Sequence, residues 1–168
     1  MSRALQSPRL SYTPLISEDG DELHQLWISP GVRRFLWDDV IIERAQTAAI
    51  LRENEGLFAQ HGYGLWGARL LGEEPLCGFT GFWHFHEPPV LEILFGLAEP
   101  FWGQGLATEM AQTMVEFGLR ECGWSVIRGS TDYENGASTR VMDKLGFKQV
   151  RRAASGGLDT LFYELIPD

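Results

Sequence analysis

Leu10, Tyr12 and the turn-prone Pro14 predict a short first strand, and Ser17 stands where it can cap a helix whose Leu23, Leu26 and Trp27 share one face. Ser29-Pro30-Gly31 is expected to end that helix. The next stretch, Val32-Arg33-Arg34-Phe35-Leu36-Trp37-Asp38-Asp39, has large aromatics without a clean period and reads as a connecting loop, before an alanine-rich helical pattern over about Glu43 to Gln60. From Gly64 the character changes. Leu65 to Leu71 and Leu76 to Phe85 read as a hairpin around Gly72-Glu73-Glu74-Pro75, and Glu87-Pro88-Pro89 breaks the chain before a third strand, Val90 to Leu97. A helix from about Gln104 to Glu121, apolar at Ala107, Met110, Ala111, Met114 and Val115, leads to a strand over Ser125 to Thr131. Strand, crossover helix and strand predict one parallel unit. A helix from Asn135 to Leu145, ended by Gly146, and strands over Phe147 to Arg152 and Leu158 to Ile166, around a Ser155-Gly156-Gly157 turn, complete the chain. The expectation is an α+β (α/β) fold with a mixed, mostly antiparallel sheet of seven strands and about four helices.

The 168 residues suffice for one well-buried domain and not for two ordinary ones, so a single domain over 1–168 is expected. A composition of 44% hydrophobic and 22% charged residues is that of a soluble globular protein. No apolar run approaches the roughly 20 residues of a membrane span, and the first ten residues lack the apolar stretch of a secretory signal, so a cytoplasmic location is the default. Cys77 and Cys122 stand far apart without metal-ligand or disulfide spacing, so no metal site is expected. A formal net charge of −9 disfavours nucleic acid as a partner and favours cationic small acceptors such as amines.

The passage from strand to helix at Glu99-Pro100-Phe101-Trp102-Gly103-Gln104-Gly105 carries the clearest chemistry. Glycines let a phosphate approach the main chain, and the first helical turn offers unpaired N–H groups at the positive end of the helix dipole. Thr108 adds a hydroxyl donor. An acidic protein can therefore still bind a pyrophosphate. A plain tight turn is the alternative for an isolated G-x-G. A dinucleotide fingerprint, with Asp132 ending the following strand, is a second alternative, but it lacks the third glycine and the repeated βαβ context.

Glu92-Ile93-Leu94-Phe95-Gly96-Leu97, then Phe101-Trp102-Gly103-Gln104-Gly105-Leu106-Ala107-Thr108-Glu109, then Asn135-Gly136-Ala137-Ser138 running to Lys144-Leu145-Gly146-Phe147, occur in an order and spacing that resembles the GNAT superfamily of N-acetyltransferases, in particular its RimJ/RimL-like, ribosomal-protein-alanine acetyltransferase branch. The resemblance spans essentially the whole chain. It implies a GNAT fold whose sheet splays between the fourth and fifth strands to receive acetyl-CoA. Phe95 and Leu97 would pair through their backbones with pantetheine, and N–H groups near Leu94 would stabilise the oxyanion. Gly103, Gln104, Gly105, Leu106, Ala107 and Thr108 would hold the pyrophosphate, and Asn135 would bind the pantetheine arm. Trp102 replaces the glutamine or arginine usual at the first loop position, which leaves the backbone cradle intact.

Acetyl transfer needs a neutral amine, and a free amine with a pKa of about 8–10 is mostly protonated at neutral pH, so a base is useful. Glu92 interrupts an apolar strand, where an unpaired carboxylate is costly, and the matching family position often carries the base. A salt-bridged or edge-exposed carboxylate is the alternative. Many relatives protonate the departing thiolate with a tyrosine seven residues after the asparagine, but that position is Met142 here. Ser138 becomes the substitute donor, against the alternative of a serine that only satisfies its own helix end; Tyr133 and Tyr163 stay unplaced. Phe35 and Trp37 read as a pocket wall or as core. His84 and His86, two apart on a strand, share a face and read as structural or acceptor-pocket residues.

The expected activity is transfer from acetyl-CoA to a primary amine, either a small molecule or a peptide N-terminus, by direct attack in a ternary complex, in a monomer or homodimer without nucleic-acid or membrane partners. A non-catalytic acyl-CoA-binding module of the same fold is the alternative.

Overall fold

The computed structural model describes residues 3–155 and 157–168. Strand β1 (Leu5–Gln6) and strand β2 (Leu10–Pro14) form an antiparallel pair, and helices α1 (Gly20–Ile28), α2 (Pro30–Leu36) and α3 (Arg44–His61) follow. Strands β3 (Leu65–Leu70), β4 (Leu76–Phe85) and β5 (Val90–Leu97) continue the first sheet in the order β1-β2-β3-β4-β5, every ladder antiparallel. Helix α4 (Leu106–Glu116) runs into one π-helical turn, Phe117–Glu121. Strand β6 (Ile127–Asp132), helix α5 (Gly136–Lys144), strand β7 (Lys148–Ser155) and strand β8 (Leu158–Leu165) then build a second antiparallel sheet in the order β6-β8-β7.

Strands β5 and β6 lie side by side without a hydrogen-bonded ladder, so the parallel neighbours expected around the crossover helix form a splay. Among the described residues eight strands and five helices stand where seven and about four were expected; the extra strand is the two-residue β1, too short to leave a periodic signal, and the extra helix is α2. The stretch read as an aromatic loop is mostly α2. Its Pro30, expected to end a helix, sits in the first turn of one, where its fixed φ is favourable and its missing N–H costs nothing. Ser17 caps nothing: its N–H and hydroxyl both donate to Glu55, while the Asp19 carboxylate accepts the Ile16 N–H at 2.9 Å. The expected turn after β7 includes Gly156, which lies outside the described residues.

The first sheet is covered on both faces, which is why its strands read as nearly continuous apolar runs. Alternation sends Trp66, Phe82 and Ile93 toward Met110 and Met114 of α4, and Leu65, Phe79 and Leu94 toward Leu23 and Trp27 of α1 and Leu51 of α3. Asn54, fully buried on α3, donates to the carbonyls of Leu15 and Leu65 and accepts the Leu65 N–H at 2.7 Å. It closes the gap where β2 ends and β3 begins. Among the described residues no helix is long and apolar enough to cross a membrane.

Candidate active site

The splay opens into a cleft of about 1520 Å³, lined by α2 and β5 on one side, β6, α5, β7 and β8 on the other, and the start of α4 at one end. At that end Gly103 and Gly105 take left-handed φ values of 77° and 78°, which L side chains resist. A Cβ on Gly103 would meet nothing within 4 Å, and one on Gly105 only the Arg9 guanidinium at 3.5 Å, so both glycines leave the approach open. The first backbone bond of the helix is Glu109 N–H to the Gly105 carbonyl, 3.1 Å, which leaves the Leu106, Ala107 and Thr108 amides without intrahelical acceptors.

A clamp behind the loop holds this geometry. The Glu109 carboxylate accepts from the Ser7 hydroxyl, the Arg9 amide and the Arg9 guanidinium, each at 2.7 Å, and the same guanidinium donates to the Gln104 carbonyl at 2.7 Å. Burial pushes the Glu109 carboxyl up, but the Ser7 and Arg9 hydrogen bonds and the Arg9 charge outweigh it and hold the group below its ordinary range. Gln104 is thereby turned to the rear of the loop and does not line the cleft, whereas Trp102, Gly103, Gly105, Leu106, Ala107 and Thr108 do. The indole of Trp102 donates to the Leu97 carbonyl at 2.7 Å and ties the loop to the end of β5.

Along β5 the ladder sets which backbone groups face the splay. The Ala98 N–H donates to the Cys77 carbonyl at 2.9 Å, and the unshifted register alternates from there, so residues 92, 94 and 96 spend their amides on β4. The Thr80 hydroxyl on the Leu94 carbonyl, 2.9 Å, agrees with that direction. Ile93, Phe95 and Leu97 present their N–H groups to the cleft. Leu94 itself does not, and the Leu97 carbonyl already has its partner in Trp102.

Glu92 is 3% exposed. Its Oε1 accepts the Ser130 hydroxyl of β6 at 2.6 Å and lies 3.0 Å from His86 Nε2, which is 3.2 Å from the same hydroxyl. Leaving a buried carboxylate unpaired costs more than any one hydrogen bond returns, so this cluster is what permits an acid inside an apolar strand. His86 reaches it because the chain leaves β4 at Phe85 and turns through a φ of 72°. That turn also separates the two histidines. His84 pairs with Leu91 on the other face, near the Tyr63 ring, and does not line the cleft.

Of the expected pocket aromatics, Phe35 lines the cleft; Trp37 packs edge-on against Trp27 at 5.5 Å in the core. Asn135 Oδ1 accepts the Ser138 N–H at 3.2 Å and caps α5, and both residues line the cleft with Met142 beneath them. Tyr163 is buried and Tyr133 lies under the Arg152 guanidinium, and neither borders the cleft. At the mouth, burial, then the charges of Asp38 and Glu134, push the Asp132 carboxyl upward. Two further residues complete the cluster: His86, read in the sequence with His84 as structural or part of an acceptor pocket, and Ser130, which the sequence did not single out. The Glu87-Pro88-Pro89 break that ends β4 was the signal for the first, and nothing local marked the second.

Free amides at a glycine-lined helix start, with a row of free β5 N–H groups leading away from it, fit a cofactor that carries phosphate at one end and amides along an arm. A family model described as an acetyltransferase (GNAT) domain matches residues 9–148. The chain is 23% identical to an uncharacterized N-acetyltransferase, p20, of Bacillus licheniformis, over 86% of this chain and 82% of that one. An acetyltransferase structure from Agrobacterium tumefaciens superposes with a TM-score of 0.84 at 20% identity, covering 98% of this chain and 95% of that one. The Salmonella typhimurium acetyltransferase described as modifying the N-terminal serine of ribosomal protein L7/L12 superposes with a TM-score of 0.81 at 18% identity, covering 99% and 100%. With a family match over most of its length, the chain belongs to the acetyltransferase (GNAT) domain family and is an N-acetyltransferase that uses acetyl-CoA.

Proposed function

We propose that this enzyme acetylates a peptide or protein N-terminus by direct attack of the amine, with Glu92 as the base. The carrying observation is the Glu92 carboxylate: buried in the splay, with Oε1 occupied by Ser130 and His86, and with no hydrogen bond to Oε2 among the described residues. Acetyl-CoA supplies an activated acetyl thioester. The Leu106, Ala107 and Thr108 amides hold its pyrophosphate, the free Phe95 and Leu97 N–H groups hold its pantetheine arm, and Asn135 contributes from the start of α5. Glu92 Oε2 takes the proton that the amine sheds, directly or through one water. The Ile93 N–H group meets the carbonyl oxygen as negative charge develops on it. The Ser138 hydroxyl donates to the departing sulfur, since Met142 puts no phenol there.

Asp38, Asp132 and Glu134 line the cleft and favour a cationic acceptor. The fold shared with an enzyme that acts on a ribosomal-protein N-terminus supports the peptide over other amines. The test is release of free thiol from acetyl-CoA over an amine panel that includes peptides with different N-terminal residues. Turnover with peptides is expected; turnover confined to polyamines, aminoglycosides or other small amines would overturn the choice of acceptor.

A further inference from the structure

His86 is an unglycine-like residue in a glycine-like conformation, at a φ of 72°. Such strain persists only where surroundings hold it, and it concentrates at functional positions. What holds it is the Glu92 cluster on one side and the Phe162 ring of β8, centroid 5.1 Å away, on the other. Its side chain is 33% exposed, against 3% for that of Glu92, so the imidazole lies nearer to solvent than the carboxylate it holds.

The hydrogen-bond pattern assigns its tautomer. Ser130 has one proton, and the 2.6 Å contact commits it to Glu92 Oε1. At the 3.2 Å contact with His86 the serine oxygen is therefore an acceptor, so Nε2 must carry hydrogen to serve both neighbours. A second proton can be taken up only at Nδ1. It leaves the Nε2–H to Oε1 bond in place and turns it from a neutral into a charge-assisted contact.

Resting on the reading of Glu92 as the base, we infer that His86 is a positioning residue that holds Oε1, leaves Oε2 to the amine, and by its own charge sets how strongly Glu92 pulls a proton. An adjacent cation stabilises a carboxylate and makes it a weaker base, and general-base rates follow base strength. Charged groups near the imidazole are Glu92, Arg151, whose guanidinium lies 4.0 Å from the centre of the same Phe162 ring, and the chain neighbour Glu87, while Arg34, Asp38 and Asp132 line the same cleft. Of these, Glu92 is the one in direct contact.

The test compares kcat/KM of the parent and of His86→Gln between about pH 5.5 and 8.5, the span over which an imidazole ordinarily changes charge. Glutamine can still donate to Oε1 but cannot ionise, and the amine's own titration cancels in the ratio. The ratio of parent to variant is expected to fall by about three- to thirtyfold toward acid. Ser130→Ala removes the other Oε1 bond without removing an ionisable group, so its ratio to the parent should stay far flatter with pH. Melting and coenzyme A binding of each variant identify any that fail to fold, and His86→Asn, which tolerates the left-handed backbone, then takes the place of the glutamine. If Glu92→Gln is slow while the histidine variant's ratio is flat, the role of His86 is overturned and the base stands. If Glu92→Gln matches the parent, the base and this role fall together.

Discussion

The Ser130 hydroxyl donates to Glu92 Oε1 across 2.6 Å, and this bond joins β6 to β5 where the two strands share no ladder. A backbone ladder would close the sheet and leave no cleft. A side-chain bond, with the packing of Ile93 against Gly129, links the strands and leaves the main chain of β5 free for a cofactor. Ser130→Ala should therefore destabilise beyond its small loss of contact, because a buried carboxylate loses a charge-assisted bond. A loss of about 1.5–3 kcal/mol is expected in urea unfolding. A change within experimental error would mean that water replaces the hydroxyl and that the bond does not link the sheets.

The glycine loop makes a prediction about binding. Gly105 at a φ of 78° faces an open approach, so Gly105→Val adds a β-branched side chain both in a strained conformation and in the path of the pyrophosphate. The parent should gain about 2.7 kcal/mol of thermal stability at a hundredfold excess of acetyl-CoA over Kd. The variant should lose most of that gain while still melting cooperatively. An undiminished gain would move the phosphate site away from this loop.

Both features were legible in the sequence for physical reasons. Paired glycines at a strand-to-helix junction are a local signal, and so is a carboxylate that interrupts Val90-Leu91-Ile93-Leu94, because either residue type is costly there without a purpose. What could not be read depends on distant partners or on a backbone twist. His84 and His86 fall on one face only if the strand continues, and it stops at Phe85. Trp37 stayed open between pocket wall and core because its partner Trp27 is ten residues back, in α1. Ser130 is an ordinary strand serine until β6 is set beside Glu92, and the Arg9 and Glu109 clamp spans 100 positions.

Acid stability carries the signature of the cleft mouth. Burial, then Asp38 and Glu134, raise the Asp132 carboxyl, so the folded state holds that proton more tightly than the unfolded chain does. Its favourable contribution is full below the unfolded value of about 3.9 and is lost as pH rises through the folded one, leaving an ionised group that opposes folding at neutral pH. Asp132→Asn should melt above the parent at pH 7, with the gap closing toward pH 3.5 in a series of thermal scans. A gap that widens toward acid would contradict the raised carboxyl.

Glu92→Gln keeps the shape of the side chain and removes its charge. Its amide oxygen can still accept from Ser130, so the sheet should hold and coenzyme A should bind as before. Rate is another matter. Without a carboxylate the amine must lose its proton to solvent before it attacks, and the loss at neutral pH should be of the order of 10²–10⁴-fold, as for other general bases. Because only the free amine then reacts, the variant's kcat/KM should climb with pH toward the acceptor's own pKa, while the parent levels off earlier. The two profiles should converge in alkali. Parallel profiles separated by a constant factor would make Glu92 a residue that shapes the cleft, and coincident ones would pass deprotonation to water.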